Sequence, residues 1–319
     1  MTDSPTEVPY LSFVSPVYGS PQSLPGLHDR IAAVCAELGV TFELILVDDR
    51  CPMDSWSVIQ DLAAAHPTVR GVRLSRNFGQ HPAIQAGLAL VRGQWVVVID
   101  CDLQDRPEEV PRLLAKAKEG FDIVRARKVA RKDVWHRRLA SQAFYRTLSY
   151  LTDSKQTSEI GNFGLYRRAV IDSIMSWRED GKFFPIIINW AGYAQAEVEV
   201  EHSERAFGKS SYTTMKLIRL AMDVILSFSD KPLRICIVMG LGISSATFLA
   251  ALFTLTRVIF FGTVVAGWAS IAFSVWFLSG VIITVLGVSG LYIGRVLNEA
   301  KGRPVFIVDR IAEHGSDPK

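Results

Sequence analysis

Apolar residues in this chain come in short runs, separated by longer stretches where they recur every three or four positions. Leu11 to Ser15, Phe42 to Val47, Val69 to Leu74 and Trp95 to Ile99 read as strands, because they are short, rich in β-branched residues and bounded by turn formers. Segments around 24–38, 54–65 and 80–91 carry helical spacing. Alternation of the two predicts an α/β fold with a doubly wound, mostly parallel sheet. Ligands of such sheets gather beyond the carboxyl ends of the strands. Here those ends are Pro16-Val17-Tyr18, Asp48-Asp49, Ser75-Arg76-Asn77 and Asp100 to Asp105, with Gln80 and His81 shortly after the third. A further apolar run, Phe121 to Val124, leads into Arg125 and Arg127.

The pattern changes toward the C-terminus. From Ile235 to Leu297 charge almost disappears, and Ile235 to about Thr256 and Trp268 to about Leu297 are each long enough to cross roughly 30 Å of hydrocarbon as helices. They are expected to form a transmembrane hairpin. A pair of buried core helices is the alternative, disfavoured because globular helices seldom run so far without charge. Lys209, Lys216, Arg219, Lys231 and Arg234 precede the first span, and Arg295, Lys301, Arg303 and Arg310 follow the second, which puts both termini on the cytoplasmic side. Arg257 marks the short connection, centred on Phe260 to Gly267.

Between the two regions Lys216, Arg219, Asp223 and Ser227 recur among Met215, Leu217, Ile218, Leu220, Ile225 and Phe228. That is an amphipathic helix, suited to the membrane interface or to packing on the soluble domain. The predicted organisation is an α/β domain over 1–212, the amphipathic region over 213–234, the hairpin over 235–297 and a cytoplasmic tail over 298–319.

Composition narrows the function classes. A net charge of +3 over 319 residues, with no basic stretch interleaved with aromatics, argues against nucleic acid as a partner. Cys35, Cys51, Cys101 and Cys236 are too scattered for a metal cluster or a small disulfide framework, so a reducing compartment is expected. The opening MTDSPTEVPY lacks the basic start and apolar core of a secretory signal. The basic run Arg131, Lys132, Arg137 and Arg138 suits either water or lipid headgroups.

The chemistry concentrates in Val96-Val97-Val98-Ile99-Asp100-Cys101-Asp102-Leu103-Gln104-Asp105. An apolar strand ending in alternate carboxylates can hold a hard divalent cation against a diphosphate. It can also cap the helix that Arg106-Pro107-Glu108-Glu109 begins, a role that fits Asp105 as well as metal binding does. No GxGxxG follows the first strand and no Walker A pattern occurs, so neither a Rossmann oxidoreductase nor a P-loop enzyme is supported.

Phe13-Val14-Ser15-Pro16-Val17-Tyr18, Leu46-Val47-Asp48-Asp49, Leu74 to His81 and Asp100 to Asp105 resemble, in order and spacing, the motifs of family 2 glycosyltransferases with the GT-A fold. The polyprenyl-phosphate subgroup is the nearest. The resemblance continues in Arg205 to Tyr212, in the two apolar segments, and in Tyr292-Ile293-Gly294-Arg295 with Lys301-Gly302-Arg303-Pro304. It implies an inverting transfer of a hexose from a nucleotide-sugar, with UDP-glucose the leading donor, to undecaprenyl phosphate in a bacterial inner membrane, by an enzyme that is commonly a homotetramer.

The same resemblance assigns roles. Pro16, Val17, Tyr18 and Asp49 hold base and ribose; Asp100, Asp102 and Gln104 surround Mg²⁺ or Mn²⁺ and the diphosphate; Arg76 and Gln80 line the crevice, and Arg127 binds phosphate. Arg205, Lys209, Ser210 and Tyr212 form an acceptor-gating loop. His81 serves packing or ligand contact equally well.

Several positions depart from the family pattern. Gly19-Ser20 stands for the usual Asn-Glu, Arg50-Cys51-Pro52 for Gly-Ser, and Arg106 for Pro. Asn162 occupies the position at which many relatives carry an Asp general base, and Asn cannot take a proton at neutral pH. Catalysis does not strictly require that base, since a phosphate monoester with a second pKa of about 6 is largely dianionic at pH 7. The expected role of Asn162 is orientation by hydrogen bonding. The competing readings are a processive polysaccharide synthase, for which a QxxRW motif and further spans are missing, and a nucleotide-sugar-binding pseudoenzyme.

Overall fold

The computed structural model describes residues 8–128, 160–177, 184–200, 231–261 and 267–315. They fall into two compact units, one holding the described residues up to 200 together with those from Gly302 onward, the other holding 231–261 and 267–301.

The first unit alternates strand and helix as the pattern predicts. β1 (Leu11–Val17), α1 (Leu24–Leu38), β2 (Phe42–Asp48), α2 (Ser55–Ala65), β3 (Val69–Leu74), α3 (Gln80–Leu88) and β4 (Trp95–Val98) follow one another. After them come α4 (Val110–Ala117), β5 (Ile123–Lys128), β6 (Ile160–Arg167), α5 (Arg168–Met175), α6 (Phe184–Trp190) and β7 (Gln195–Val200). α1 stops where Gly39 takes φ 64° and its amide folds back on the Ala36 and Cys35 carbonyls. Glycine ends helices in this way because a Cβ disfavours the left-handed conformation.

The sheet runs β7-β5-β6-β4-β1-β2-β3-β8, where β8 is Val308–Ala312. β1, β2, β3 and β4 are mutually parallel, in registers that align Val17 with Asp48, Val14 with Val98, and Asp48 with Arg73. β6 runs antiparallel to both β4 and β5. The sheet is therefore mixed, and the amino end of β6 meets the carboxyl ends of β4 and β5 along one edge. On one face Leu24, Leu27 and Ile31 of α1, Trp56 and Ile59 of α2 and Leu113 of α4 pack on Leu11, Phe13, Leu44, Leu46 and Val97. Burying each such aliphatic side chain contributes about 1.5–3 kcal/mol. α3 lies on the other face against β1 and β2. A rigid core thus fixes the strand ends on which the candidate chemistry stands.

β8 pairs antiparallel with β3. The apolar segment Val305 to Val308 reads from the sequence as a candidate extra strand within the tail; the strand observed begins at Val308, and the residues before it lead into the sheet without joining the ladder. Ile307 still accepts the Ser75 amide at 2.9 Å.

The second unit contains two long helices, α7 (Lys231–Phe261) and α8 (Trp268–Ala300). Among the described residues one stretch, Ser274–Leu297, is long and apolar enough to cross a membrane, and Leu233–Ile243 is a shorter apolar stretch. Large side chains on both helices are exposed, among them Val238, Leu241, Phe248, Phe260, Trp276, Ile283 and Leu286. One expectation is corrected: Arg257 lies inside α7, because the helix continues to Phe261. The amphipathic segment from 213 to 230 and the basic run 131–138 lie outside the described residues.

Candidate active site

Asp49 follows β2 directly, is 3% exposed, and has both carboxylate oxygens engaged. Oδ1 accepts the Phe78 amide at 2.7 Å and Oδ2 the Gly79 amide at 2.8 Å. The loop after β3 is thereby tied to the end of β2. Phe78 in turn carries the Arg76 guanidinium, 4.3 Å from its ring centroid. Asp48, equally buried, accepts the Cys51 amide through Oδ1 at 3.0 Å and faces Arg73 at 3.5 Å. Burial raises the pKa of both carboxyls; the two amides oppose this at Asp49, while at Asp48 the Cys51 amide, Arg73 and Arg50 do. Pro16 and Val17 end β1 beside Asp48, and Tyr18 stands half exposed after them. Cys51 Sγ accepts the Gly19 amide at 3.1 Å, so two of the positions that depart from the family pattern touch each other.

One strand over, Asp100 Oδ1 accepts Gln80 Nε2 at 2.8 Å, joining the start of α3 to the end of β4. Asp102 is 9% exposed, and its Oδ1 accepts the Gln104 amide at 3.2 Å. This side-chain turn bends the chain so sharply that Leu103 adopts φ 62°. A branched residue in the left-handed region is uncommon and costs of order 1–3 kcal/mol, and such strain concentrates at functional sites. Asp105 is not the helix cap. It is buried, its Oδ2 reaches the Asp100 amide at 3.4 Å, and the short 3₁₀ turn starting at Pro107 is preceded by Arg106 without a side-chain cap. Burial also pushes the Cys101 thiol up to about 12, so it is a neutral packing group.

Does this donor set suit a divalent cation? Among the described residues no group of three His, Cys, Asp or Glu side chains is placed to cage an ion. Two carboxylates and an amide at one strand end instead match the open arrangement in which Mg²⁺ keeps one or two carboxylates and completes its shell with water and substrate phosphates. The residues fit an ion shared with a diphosphate.

Asn162 stands toward the same edge: β6 pairs Gly164 with Val98, the last pair of that ladder, and Asn162 lies two residues further along β6 on the side where β4 runs out toward Asp100. Arg127 is found between Glu197 and Glu199 of the neighbouring β7. Arg125 is buried, with Glu197 3.8 Å away. Desolvation pushes the His81 imidazole down to about 4, so it is neutral at pH 7. Arg205, Lys209, Ser210 and Tyr212 lie outside the described residues. Sequence reasoning missed Tyr166, whose hydroxyl donates to the Asn162 carbonyl at 3.1 Å, and the strands β6 and β7. The alternation of Gln195 to Val200 was the readable signal for β7; the two glycines and Asn162 obscure β6.

Residues 12–175, which carry the whole of this strand-end constellation, match the model of glycosyl transferase family 2. The chain belongs to that family. This glycosyltransferase is 38% identical over 314 residues to the undecaprenyl-phosphate 4-deoxy-4-formamido-L-arabinose transferase of Enterobacter sp. (strain 638), covering 96% of this chain and 94% of the relative. It is 34% identical over 300 residues to the uncharacterized glycosyltransferase YkcC of Bacillus subtilis (strain 168), covering 94% and 93%. A solved mannosyl-3-phosphoglycerate synthase from Rubrobacter xylanophilus superposes with TM-score 0.48 at 17% identity, over 69% of this chain and 72% of that one.

Proposed function

We propose that this glycosyltransferase moves a sugar from a nucleotide-sugar donor to the phosphate of a polyprenyl phosphate, with inversion at the anomeric carbon. The observation that carries the reading is the placement of Asp49, Asp100 and Asp102 on one edge of the sheet, at the ends of β2 and β4 on either side of β1, with Phe78 and Gly79 tied to Asp49 and the next residue, Gln80, to Asp100. Support for the acceptor comes from the relatives matched along nearly their whole length and named undecaprenyl-phosphate transferases.

In this reading Pro16, Val17, Tyr18 and Asp49 receive base and ribose, and Arg76 and Arg127 add charge toward phosphate. Asp100, Asp102 and Gln104 would hold a divalent cation, Mg²⁺ or Mn²⁺, which when bound offsets the charge that gathers on the departing nucleoside diphosphate. The acceptor phosphate, dianionic at pH 7, attacks the anomeric carbon without a protein base. Asn162 orients it by hydrogen bonding and keeps a negative charge out of its path. Arg205, Lys209, Ser210 and Tyr212 gate the acceptor. Catalysis is then chiefly positioning and charge neutralisation.

The membrane belongs to the same proposal. α7 and α8 form a two-span hairpin in a bacterial inner membrane, both termini are cytoplasmic, the 213–234 region lies at the interface, and the enzyme assembles as a homo-oligomer, a tetramer. UDP-glucose stays the proposed hexose donor from the family resemblance; the formamido-arabinose named for several relatives makes a UDP-linked amino sugar its direct rival. The test is to incubate the purified full chain with Mg²⁺ or Mn²⁺, undecaprenyl phosphate and UDP-glucose, UDP-N-acetylglucosamine, GDP-mannose or UDP-4-deoxy-4-formamido-L-arabinose. Mass spectrometry of the lipid fraction identifies the product, and long polymer in place of a single added sugar would favour a processive synthase.

A further inference from the structure

β6 loses its regular pairing where it reaches the active edge. Against β5 it pairs Arg125 with Gly164 and Arg127 with Ile160, so two steps along β5 oppose four along β6. Its ladder with β4 ends at Val98 and Gly164. Extra residues in one strand make a bulge, a feature that re-aims side chains beside active sites. Asn162 lies within it.

Tyr166 reaches back along its own strand to this point. Its Oη donates to the Asn162 carbonyl at 3.1 Å, supplying a partner to a main-chain acceptor in the irregular stretch. The ring is 1% exposed and meets Phe184 edge-on, at 5.2 Å between centroids and 74° between planes. It can lie along the strand only because residue 164 is glycine: a Cβ there would stand 2.9 Å from Tyr166 Oη and 2.9 Å from the Val124 carbonyl. Burial raises the phenol pKa, with Arg125 lowering it and Asp105 raising it further, so the hydroxyl remains a proton donor throughout the neutral range.

We propose that Tyr166 is a positioning residue: by holding the Asn162 carbonyl it fixes the bulge, and with it the direction in which the Asn162 carboxamide meets the acceptor phosphate. Gly164 is the space that makes this contact fit. The inference rests on the orienting role given to Asn162 above.

The test is a double-mutant cycle on the purified full chain in detergent, with Mg²⁺, undecaprenyl phosphate and whichever sugar nucleotide of the panel gives lipid product. Tyr166→Phe keeps the ring and its contact with Phe184 and removes one hydrogen bond. It is expected to lower kcat about tenfold, the scale of one such bond, with the KM for the sugar nucleotide and the Kd for UDP or GDP unchanged. Asn162→Ala should be at least as slow, and the double variant no slower than Asn162→Ala alone, because both changes act through one group. Gly164→Ala, which presses on the phenol and on the Val124 carbonyl alike, should lower kcat at least as far and takes the place of Tyr166→Phe in the cycle if that variant fails to fold. Full kcat in Tyr166→Phe beside a slow Asn162→Ala, or effects that multiply in the double variant, would overturn the positioning role alone. Full turnover in Asn162→Ala would overturn the role of Asn162 and this inference with it.

Discussion

Replacing a carboxylate with an amide at position 162 removes a charge from the edge of the sheet where β2 ends in Asp48 and Asp49 and β4 leads into Asp100, Asp102 and Asp105. An incoming phosphate dianion feels that difference directly. Asn162→Asp is therefore expected to raise the acceptor KM severalfold without raising kcat, read by steady-state transfer at pH 7. A large gain in turnover would show that the chain lacks, and needs, a general base. His81 offers a check on stability. Its imidazole sits at about 4 instead of its ordinary 6.5, so the unfolded chain binds the proton first and stability falls as pH drops from about 6.5 to about 4. The melting temperature of His81→Gln should fall less than that of the wild type across this window, and equal slopes would contradict the desolvation of the ring.

Among the elements, the C-terminal strand is the one whose role reaches furthest from its place in the sequence. Arg50 lies next to Asp49 with φ 53°, donates to the Leu74 and Ser75 carbonyls at 2.9 and 3.1 Å, and reaches Asp309 of β8 at 2.9 Å. β8 thus braces the loop that Asp49 holds. Arg50→Ala should weaken UDP or GDP binding more than Asp309→Ala does, because it removes the two carbonyl contacts as well as a half-exposed ion pair, which alone contributes little. Isothermal titration of the two variants decides it; equal losses would mean that the ion pair carries the effect.

These elements also show what a sequence can disclose. β1 to β4 and the helices between them were legible because burial on both faces makes the strands short apolar runs and one-sided burial gives the helices their three-to-four-residue spacing. So was the position of Asp49, Asp100 and Asp102 just past strand ends, where such sheets place polar chemistry. β6 was not legible: Gly161, Asn162 and Gly164 are poor strand formers, held in place by β4, β5 and the Tyr166 hydroxyl. Asp105 was left between two roles for a similar reason. A carboxylate before Pro107 has the spacing of a cap, and only the fold shows it turned inward beneath Asp100. The partners of Arg127 were equally hidden, because Glu197 and Glu199 lie some seventy residues later.

For the whole molecule, the proposal joins a soluble catalytic sheet to a membrane hairpin. Its topology has a direct reading: membrane-impermeant reagents should label cysteines placed near the N-terminus and beyond residue 312 from the same, cytoplasmic face of oriented vesicles, and a cysteine in the 262–266 connection from the opposite face. Labelling of the two termini from opposite faces would remove the two-span arrangement. The central claim is chemical, and mass spectrometry of the lipid product tests it most directly, with the wild-type chain and Asp102→Ala incubated side by side with undecaprenyl phosphate, divalent cation and the sugar-nucleotide panel. The account predicts a polyprenyl phosphate carrying one added sugar from the wild type, and product reduced at least about a hundredfold from the variant. No glycolipid from any donor, or undiminished product from Asp102→Ala, would contradict it.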